Sequence, residues 1–210
     1  DGVLFLSSGI HYQAYCEALA AEPVEVLDYR ELSGMRTDSA IQKIFNKSGI
    51  VLNPEKLQEL VSRKRRSASE MLRKQPPVAP DCNKVIAEFY RRGIPLALAS
   101  SSSSQNVQLF LESSGTRNYF SVILSGDDVK NAKPDQEIFR TSRNCLGIKP
   151  EFCFVVEDSE NGILGAKADG MKVIGVIGQH TKKELQIFGT VATISRLDDL
   201  LQLSEFQSNI

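Results

Sequence analysis

Along the first eighty residues the apolar positions recur at helical spacing. Ile10 to Ala21 reads as a helix ended by Pro23, Thr37-Asp38 opens another that runs through Phe45, and after Asn53-Pro54 the series Leu57, Leu60, Val61, Ala68, Met71, Leu72 continues the period. The segment Gln75-Pro76-Pro77-Val78-Ala79-Pro80 stops the pattern, because its prolines cannot continue a helix, and it reads as a hinge. Beyond it the rhythm changes. Val85 to Arg92 is a helix stopped by Gly93, Ile94 to Ala99 a strand, Gln105 to Ser113 a helix and Ser121 to Leu124 a short strand. A helix from Pro134 to Leu146, a strand Cys153 to Val156, a helix after Asn161, a strand Lys172 to Val176 and a last short pair through Thr193 and Leu197 to Leu203 complete the chain.

Strand and helix in alternation predict an α/β fold with a parallel sheet and right-handed crossovers. The predicted organisation is a sheet-bearing core over residues 1–9 and 80–210, with a helical subdomain over 10–79 inserted into it. Asp1 to Ser8 read as the tail of a strand or a turn, so a strand is expected immediately before Asp1.

Composition narrows the function classes. The 210 residues are 41% hydrophobic and 24% charged with a formal net charge of -1, which gives no global electrostatic case for nucleic acid or membrane. Phosphate recognition, if present, has to be local. Cys16, Cys82, Cys145 and Cys153 form no CxxC pair and no Cys/His ligand spacing, so reduced thiols in a cytoplasmic protein are expected rather than zinc. No run approaches ~18 apolar residues and no charged head with an apolar segment opens the sequence, so neither a membrane span nor a signal peptide is expected. The basic run Arg63-Lys64-Arg65-Arg66, flanked by Glu59 and Glu70, reads as a solvated helix face.

Candidate chemistry gathers where strands end. Glu157 and Asp158 follow the apolar Phe154-Val155-Val156 and precede a helix, at the carboxyl edge where open α/β sheets bind ligands. Acidic residues there also cap helices, and the pattern alone leaves both roles open. Ser100 to Ser104 occupy another strand-to-helix turn, suited either to capping or to cradling an anion. Lys133, before Pro134, lies after a further strand, where it can neutralise a phosphoryl group facing the two carboxylates.

Taken together, DGVLF at the start, ALASS at 97–101, AKPDQEIF at 132–139 and VVEDSENGI at 155–163 resemble the four motifs of the haloacid dehalogenase superfamily. The branch they resemble is that of beta-phosphoglucomutase and its sugar-phosphate phosphatase relatives. The resemblance covers nearly the whole chain and implies a Rossmann-like core closed by a helical cap. Asp1-Gly2 match the second Asp and the Gly of the first motif, DxDG; its first Asp, the nucleophile, falls two positions before Asp1, outside this sequence. Ser100 then matches the phosphate-binding hydroxyl, Lys133 the motif lysine, and Glu157-Asp158 the acidic pair that holds Mg²⁺ together with the Asp1 carbonyl.

The implied catalytic residues are therefore Asp1 as general acid and base, Ser100 and Lys133. The implied substrate contacts are His11, Arg36, Ser101 and Asn161. The substrate class implied is a small phosphorylated metabolite, hydrolysed through an aspartyl-phosphate by a monomer or weak dimer. Leu6 departs from the branch, which commonly has Asp there. Thr37 and Glu70 stand where the mutases of the branch place cap cations, which favours hydrolysis over a phosphohexomutase. A catalytically silent binding protein is the third alternative.

Overall fold

The computed structural model describes residues 1–206. The amino-terminal part folds into a helical lobe of α1 (Ser8–Leu19), α2 (Tyr29–Leu32), α3 (Thr37–Lys47) and α4 (Pro54–Lys74). Asn53 starts α4 by accepting from the Lys56 N–H at 2.8 Å, with Pro54 placed where no helical N–H is needed. The periodic residues seen in the sequence then turn inward: Leu60, Ala68 and Leu72 are fully buried. Leu60 joins Tyr15, Leu19, Ile41, Ile44 and Phe45 in a core that belongs to this lobe alone. The one-turn α2 was not expected; Asp28 nucleates it by accepting from the Arg30 N–H.

The remaining elements build a sheet lobe. In order they are α5 (Cys82–Arg91), β1 (Ala97–Ala99), α6 (Ser104–Ser114), β2 (Val122–Leu124), α7 (Glu137–Leu146), β3 (Phe154–Glu157), α8 (Glu160–Ala168), β4 (Lys172–Val176), α9 (Lys182–Phe188) and β5 (Ala192–Ile194). Every ladder is parallel, as alternation predicts. The ladders fall into two blocks, β1–β2 and β3–β4–β5, and the carboxyl ends of β1 and β3 both line one cavity.

Several boundaries differ from the sequence reading for local reasons. The strand expected from Ile94 shrinks to Ala97–Ala99 because the Ile94 N–H turns back to the Phe89 carbonyl, closing the loop at Gly93. The helix expected from Pro134 starts at Glu137, whose carboxylate accepts from the N–H groups of Lys130 and Asn131 and so ties the preceding segment into a turn. Glu157 is the last residue of β3 rather than a residue beyond it. The closing helix over Leu197–Gln202 is 3-10. Helix α9 went unread, although Thr181 and Glu184 form a capping box at its start.

Two passages connect the lobes, and they run side by side. Phe5 bridges Val78 in antiparallel fashion, the Leu6 N–H donates to the Pro77 carbonyl and the Ala79 N–H to the Leu4 carbonyl. Leu6 itself is half-exposed there. No helix among the described residues is long and apolar enough to cross a membrane.

Candidate active site

The acidic turn after β3 is occupied by two carboxylates that do not cap the helix behind them. Ser159 caps α8: its Oγ accepts from the Gly162 N–H at 3.1 Å and donates to Glu157 Oε2 at 3.0 Å. The cap of this helix is thus Ser159 and not the acidic pair. Glu157 and Asp158 are both buried, and the chain leaves room for them only because two positions lack a side chain. A Cβ on Gly162 would fall inside the Glu157 carboxylate, and one on Gly2 inside that of Asp158, with Gly2 also at φ +73°.

Charge balance at this turn is unequal. Lys133, buried on the segment before α7, donates to Glu157 Oε1 at 2.5 Å and to the Ala99 carbonyl at 3.3 Å, so it bridges the carboxyl ends of β3 and β1. Burial favours the protonated form of Glu157, but Lys133 outweighs it and holds the carboxyl below its usual range. Asp158 has no such partner. Burial, and then the neighbouring Glu157 charge, push it up to about 7. Among the described residues Lys133 is the only side-chain cation paired with either carboxylate, and unpaired charge is costly in so buried a setting.

An oxygen-seeking divalent cation would relieve that imbalance. No three His, Cys, Asp or Glu side chains gather as a metal cage among the described residues. The donor set is therefore a sparse one, of two carboxylates with main-chain and water oxygens, which suits a cation that keeps much of its hydration, as Mg²⁺ does. The residues present fit the ion.

Asp1 faces this turn from the opposite side. Its Oδ1 accepts from Ser7 Oγ at 2.5 Å and from His11 Nε2 at 3.3 Å, and its Oδ2 accepts from Ser102 Oγ. The tautomer of His11 follows from its other neighbour. Lys64 Nζ lies 3.1 Å from His11 Nδ1; in its charged form Lys64 only donates, so Nδ1 then accepts and the ring proton sits on Nε2, pointing at Asp1. Burial and then the Lys64 charge hold His11 well below its ordinary value, keeping it neutral. Burial, and then Arg65, lower Lys64 to about 7, and its ammonium rests 4.4 Å above the Tyr15 ring.

This corrects the reading of the basic run as a solvated face at Lys64, while Arg66 is exposed as expected. Lys64 points inward because it lies four residues after Leu60 and four before Ala68, on the apolar seam of α4, a period visible in the sequence beneath the charges. Its neighbours are engaged too: Arg65 Nη2 donates to Asp127 Oδ1 at 3.0 Å, and Arg63 approaches Glu22 at 3.5 Å.

The serine turn divides its tasks. The Ser100 N–H extends the β1–β2 ladder to the Leu124 carbonyl, and its Oγ accepts from the Ser102 N–H at 3.1 Å. Ser101 Oγ reaches across to the helical lobe and donates to the Gly34 carbonyl at 2.7 Å. Ser103 is the N-cap of α6 by position, while Asp127 accepts from the Ser104 N–H at 2.8 Å.

Of the residues singled out in the sequence, Asp1, His11, Ser100, Ser101, Lys133, Glu157 and Asp158 all line the one cavity. Arg36 and Asn161 do not. The Arg36 guanidinium binds Asp38 and donates to the Val129 and Lys130 carbonyls at 3.3 Å, and Asn161 Nδ2 donates to the Ser33 carbonyl at 2.9 Å. Both fasten one lobe to the other. Residues the sequence reading missed are Ser102, Lys64, Ser159, Gly162 and Tyr29, the last a phenol of the helical lobe along the cavity.

Comparison with known proteins gives consistent matches. The profile described as haloacid dehalogenase-like hydrolase matches residues 1–176. The phosphorylated carbohydrates phosphatase of Thermotoga maritima is 30% identical over 212 residues, covering 98% of this chain and 95% of that one. The bifunctional riboflavin kinase/FMN phosphatase of Arabidopsis thaliana is 39% identical over 98 residues, 46% of this chain and 26% of its own length, so the match spans about a quarter of that protein. Among solved structures, CbbY from Rhodobacter sphaeroides in complex with phosphate superposes with a TM-score of 0.80 at 28% identity, covering 95% of this chain and 92% of that one.

Proposed function

The chain belongs to the haloacid dehalogenase-like hydrolase family, and from that premise we propose that it is a Mg²⁺-dependent phosphomonoesterase acting on small phosphorylated carbohydrates. The observation that carries this reading is the pairing, in one cavity, of an acidic turn (Glu157, Asp158) with a cation and hydroxyls (Lys133, Ser100, Ser102) and a third carboxylate, Asp1, held by Ser7, His11 and Ser102. Helices of residues 10–79 act as the cap over a core of residues 1–9 and 80–210. The phosphatase relative of similar length supports the substrate class.

Each residue has a definite task. Asp158, Glu157 and the Asp1 carbonyl would hold Mg²⁺, which when bound supplies Lewis-acid neutralisation of charge on the phosphoryl oxygens. Lys133 and Ser100 face the remaining oxygens with an ammonium and a hydroxyl. In the first step a carboxylate, placed by the family resemblance two positions before Asp1, forms a bond to phosphorus as the ester P–O bond breaks. Asp1 gives its proton to the departing alcohol oxygen. In the second step Asp1, now ionised, takes a proton from water, the water oxygen bonds to phosphorus, and the acyl phosphate P–O bond breaks to release inorganic phosphate. Ser7, Ser102 and the Lys64–His11 pair hold Asp1 between these two transfers.

Phosphate release from a panel of sugar phosphates and p-nitrophenyl phosphate, with Mg²⁺ and with chelator, tests the reading in a protein that includes the residues preceding Asp1. Mg²⁺-dependent release is expected, and absence of turnover on every member of the panel overturns it.

A further inference from the structure

The segment that carries Lys133 is pinned from two sides. Glu137, in the first turn of α7, reaches back with both carboxylate oxygens: Oε1 accepts from the Lys130 N–H at 3.0 Å and Oε2 from the Asn131 N–H at 2.8 Å. The same two peptide groups are held at their other ends. Arg36 Nη1, from the helical lobe, donates to the Val129 and Lys130 carbonyls, both at 3.3 Å. Two successive peptide units thus lie between a carboxylate on their N–H side and a guanidinium on their carbonyl side, the orientation that each charge favours. The two N–H groups are the chief cause that holds the Glu137 carboxyl below its usual range.

What this clamp encloses is Lys133. Glu137 ties the chain to itself across six and seven residues, and within that turn the Glu137 N–H donates to Asp135 Oδ1 at 2.8 Å and the Asp135 N–H to the Ala132 carbonyl at 3.0 Å. The Lys133 side chain leaves the turn inward, its ammonium 4.7 Å from the centre of the Phe139 ring, and ends on Glu157 and the Ala99 carbonyl. A lysine carries its charge on a long flexible stem, so its backbone has to be fixed if the charge is to be placed closely. Neither Glu137 nor Arg36 lines the cavity, so neither reaches a substrate there.

We propose that Glu137 is a positioning residue for Lys133 and that Arg36 completes the same clamp from the helical lobe, so that the ammonium facing the phosphoryl group is set from outside the cavity. The proposal rests on the phosphomonoesterase reading above and adds to it two residues that act through the chain rather than on the substrate. Lys133 faces phosphoryl oxygens and not the alcohol, so loosening the clamp lowers kcat to the same extent whatever the leaving group.

The test uses the complete Mg²⁺-bound protein with a sugar monophosphate that it hydrolyses and with p-nitrophenyl phosphate, in Glu137→Gln, Arg36→Met and the double variant. Glu137→Gln keeps the shape but turns an amide N–H₂ toward one of the two N–H groups, and Arg36→Met keeps an unbranched side chain without its donors. The expected fall in kcat is about tenfold for the first and about fivefold for the second, with KM within about twofold, on both substrates. The double variant should lose about tenfold rather than the roughly fiftyfold of independent sites. Hydrogen exchange in the metal-free protein gives a readout apart from turnover: the Lys130 and Asn131 amides should exchange faster in both single variants while the melting temperature stays near that of the parent. Multiplicative losses, a change confined to KM or to one substrate, unaltered exchange at both amides, or a melting temperature that falls with the activity overturns the proposal and leaves the phosphatase reading standing. A parent inactive on every phosphomonoester offered removes both.

Discussion

The two lobes meet at one cavity and contribute opposite kinds of chemistry to it. On the sheet side the groups are charged and their positions are dictated: Glu157 ends a strand, Lys133 spans two strand ends, and Gly162 and Gly2 leave no space for either carboxylate to be crowded. On the helical side the groups are chiefly neutral hydroxyls on helices and a short loop, with one ammonium turned to a histidine. Charge that acts on a phosphoryl group has to be placed within a fraction of an ångström, and strand ends locked in a ladder do that. Recognition of the remaining alcohol tolerates variation, and it sits on elements that can change without disturbing the charges.

The sharpest way to break this division is to remove a charge from the sheet side. Asp158→Asn should lower kcat/KM by at least about a thousandfold by loss of the metal donor. In chelator the same variant should be the more stable protein above pH 7. Between 3.8 and about 7 the folded state holds a proton on Asp158 that the unfolded chain has lost, so stability falls as pH rises through that window, and Asn removes the fall. The gain is on the order of 2 kcal/mol. Phosphate release and metal-free melts across pH check both halves; an active variant, or one without the high-pH gain, contradicts the assignment.

Next in size is Gly162→Ala, which adds one methyl group and no charge. It should drive the Glu157 carboxylate from Lys133 and cost about 2–3 kcal/mol with a loss of activity near a hundredfold. Chemical denaturation measures the first and initial rates the second. A silent substitution would mean that the sheet side is less rigid than drawn here.

Lys64→Met tests whether the buried ammonium of the helical side serves Asp1. Activity should fall about tenfold, through kcat rather than KM, because His11 loses the donor that fixes its tautomer. Lys64 also leaves a signature in stability. Its pKa of about 7 lies below the ordinary 10.5, so between these values the unfolded chain binds the proton that the folded one has lost, and stability rises with pH across that window. Met should flatten the rise, and pH-dependent melting of parent and variant reads it directly. The smallest effect belongs to the fastening between lobes: Asn161→Ala removes one hydrogen bond to the Ser33 carbonyl and should cost about 1 kcal/mol, with a change in KM of about twofold.

The charged groups of the sheet side were legible in the sequence because strand ends and turns are local features. Glu157, Asp158 and Ser100 each follow an apolar run, Lys133 stands before Pro134 beyond a further strand, and the fold carries all four to the same edge. The helical side was harder to read. Lys64 was masked by three arginines around it, although its spacing from Leu60 and Ala68 placed it on the buried stripe. Arg36 was taken for a substrate contact on the family resemblance, yet its carbonyl partners lie 93 and 94 residues further along, a distance over which a sequence pattern gives no direction. Strand lengths failed for a related reason, since β1 is cut short by backbone hydrogen bonds made in the turn at Gly93 and with Ser121.

Among the described residues, half of the side-chain hydrogen bonds between the lobes end on main-chain carbonyls. Ser101 donates to Gly34, Asn161 to Ser33, and Arg36 to Val129 and Lys130. A carbonyl survives any substitution at its own position, so Ser33, Val129 and Lys130 can drift in evolution without loosening the seam. Gly34 is the exception, because a Cβ there would collide with Ser159 Oγ. The loop of residues 33–37 is thereby free to explore new side chains while its fastening to the sheet lobe stays in place, which is how a lineage of such proteins can change one face of a cavity without disturbing the other.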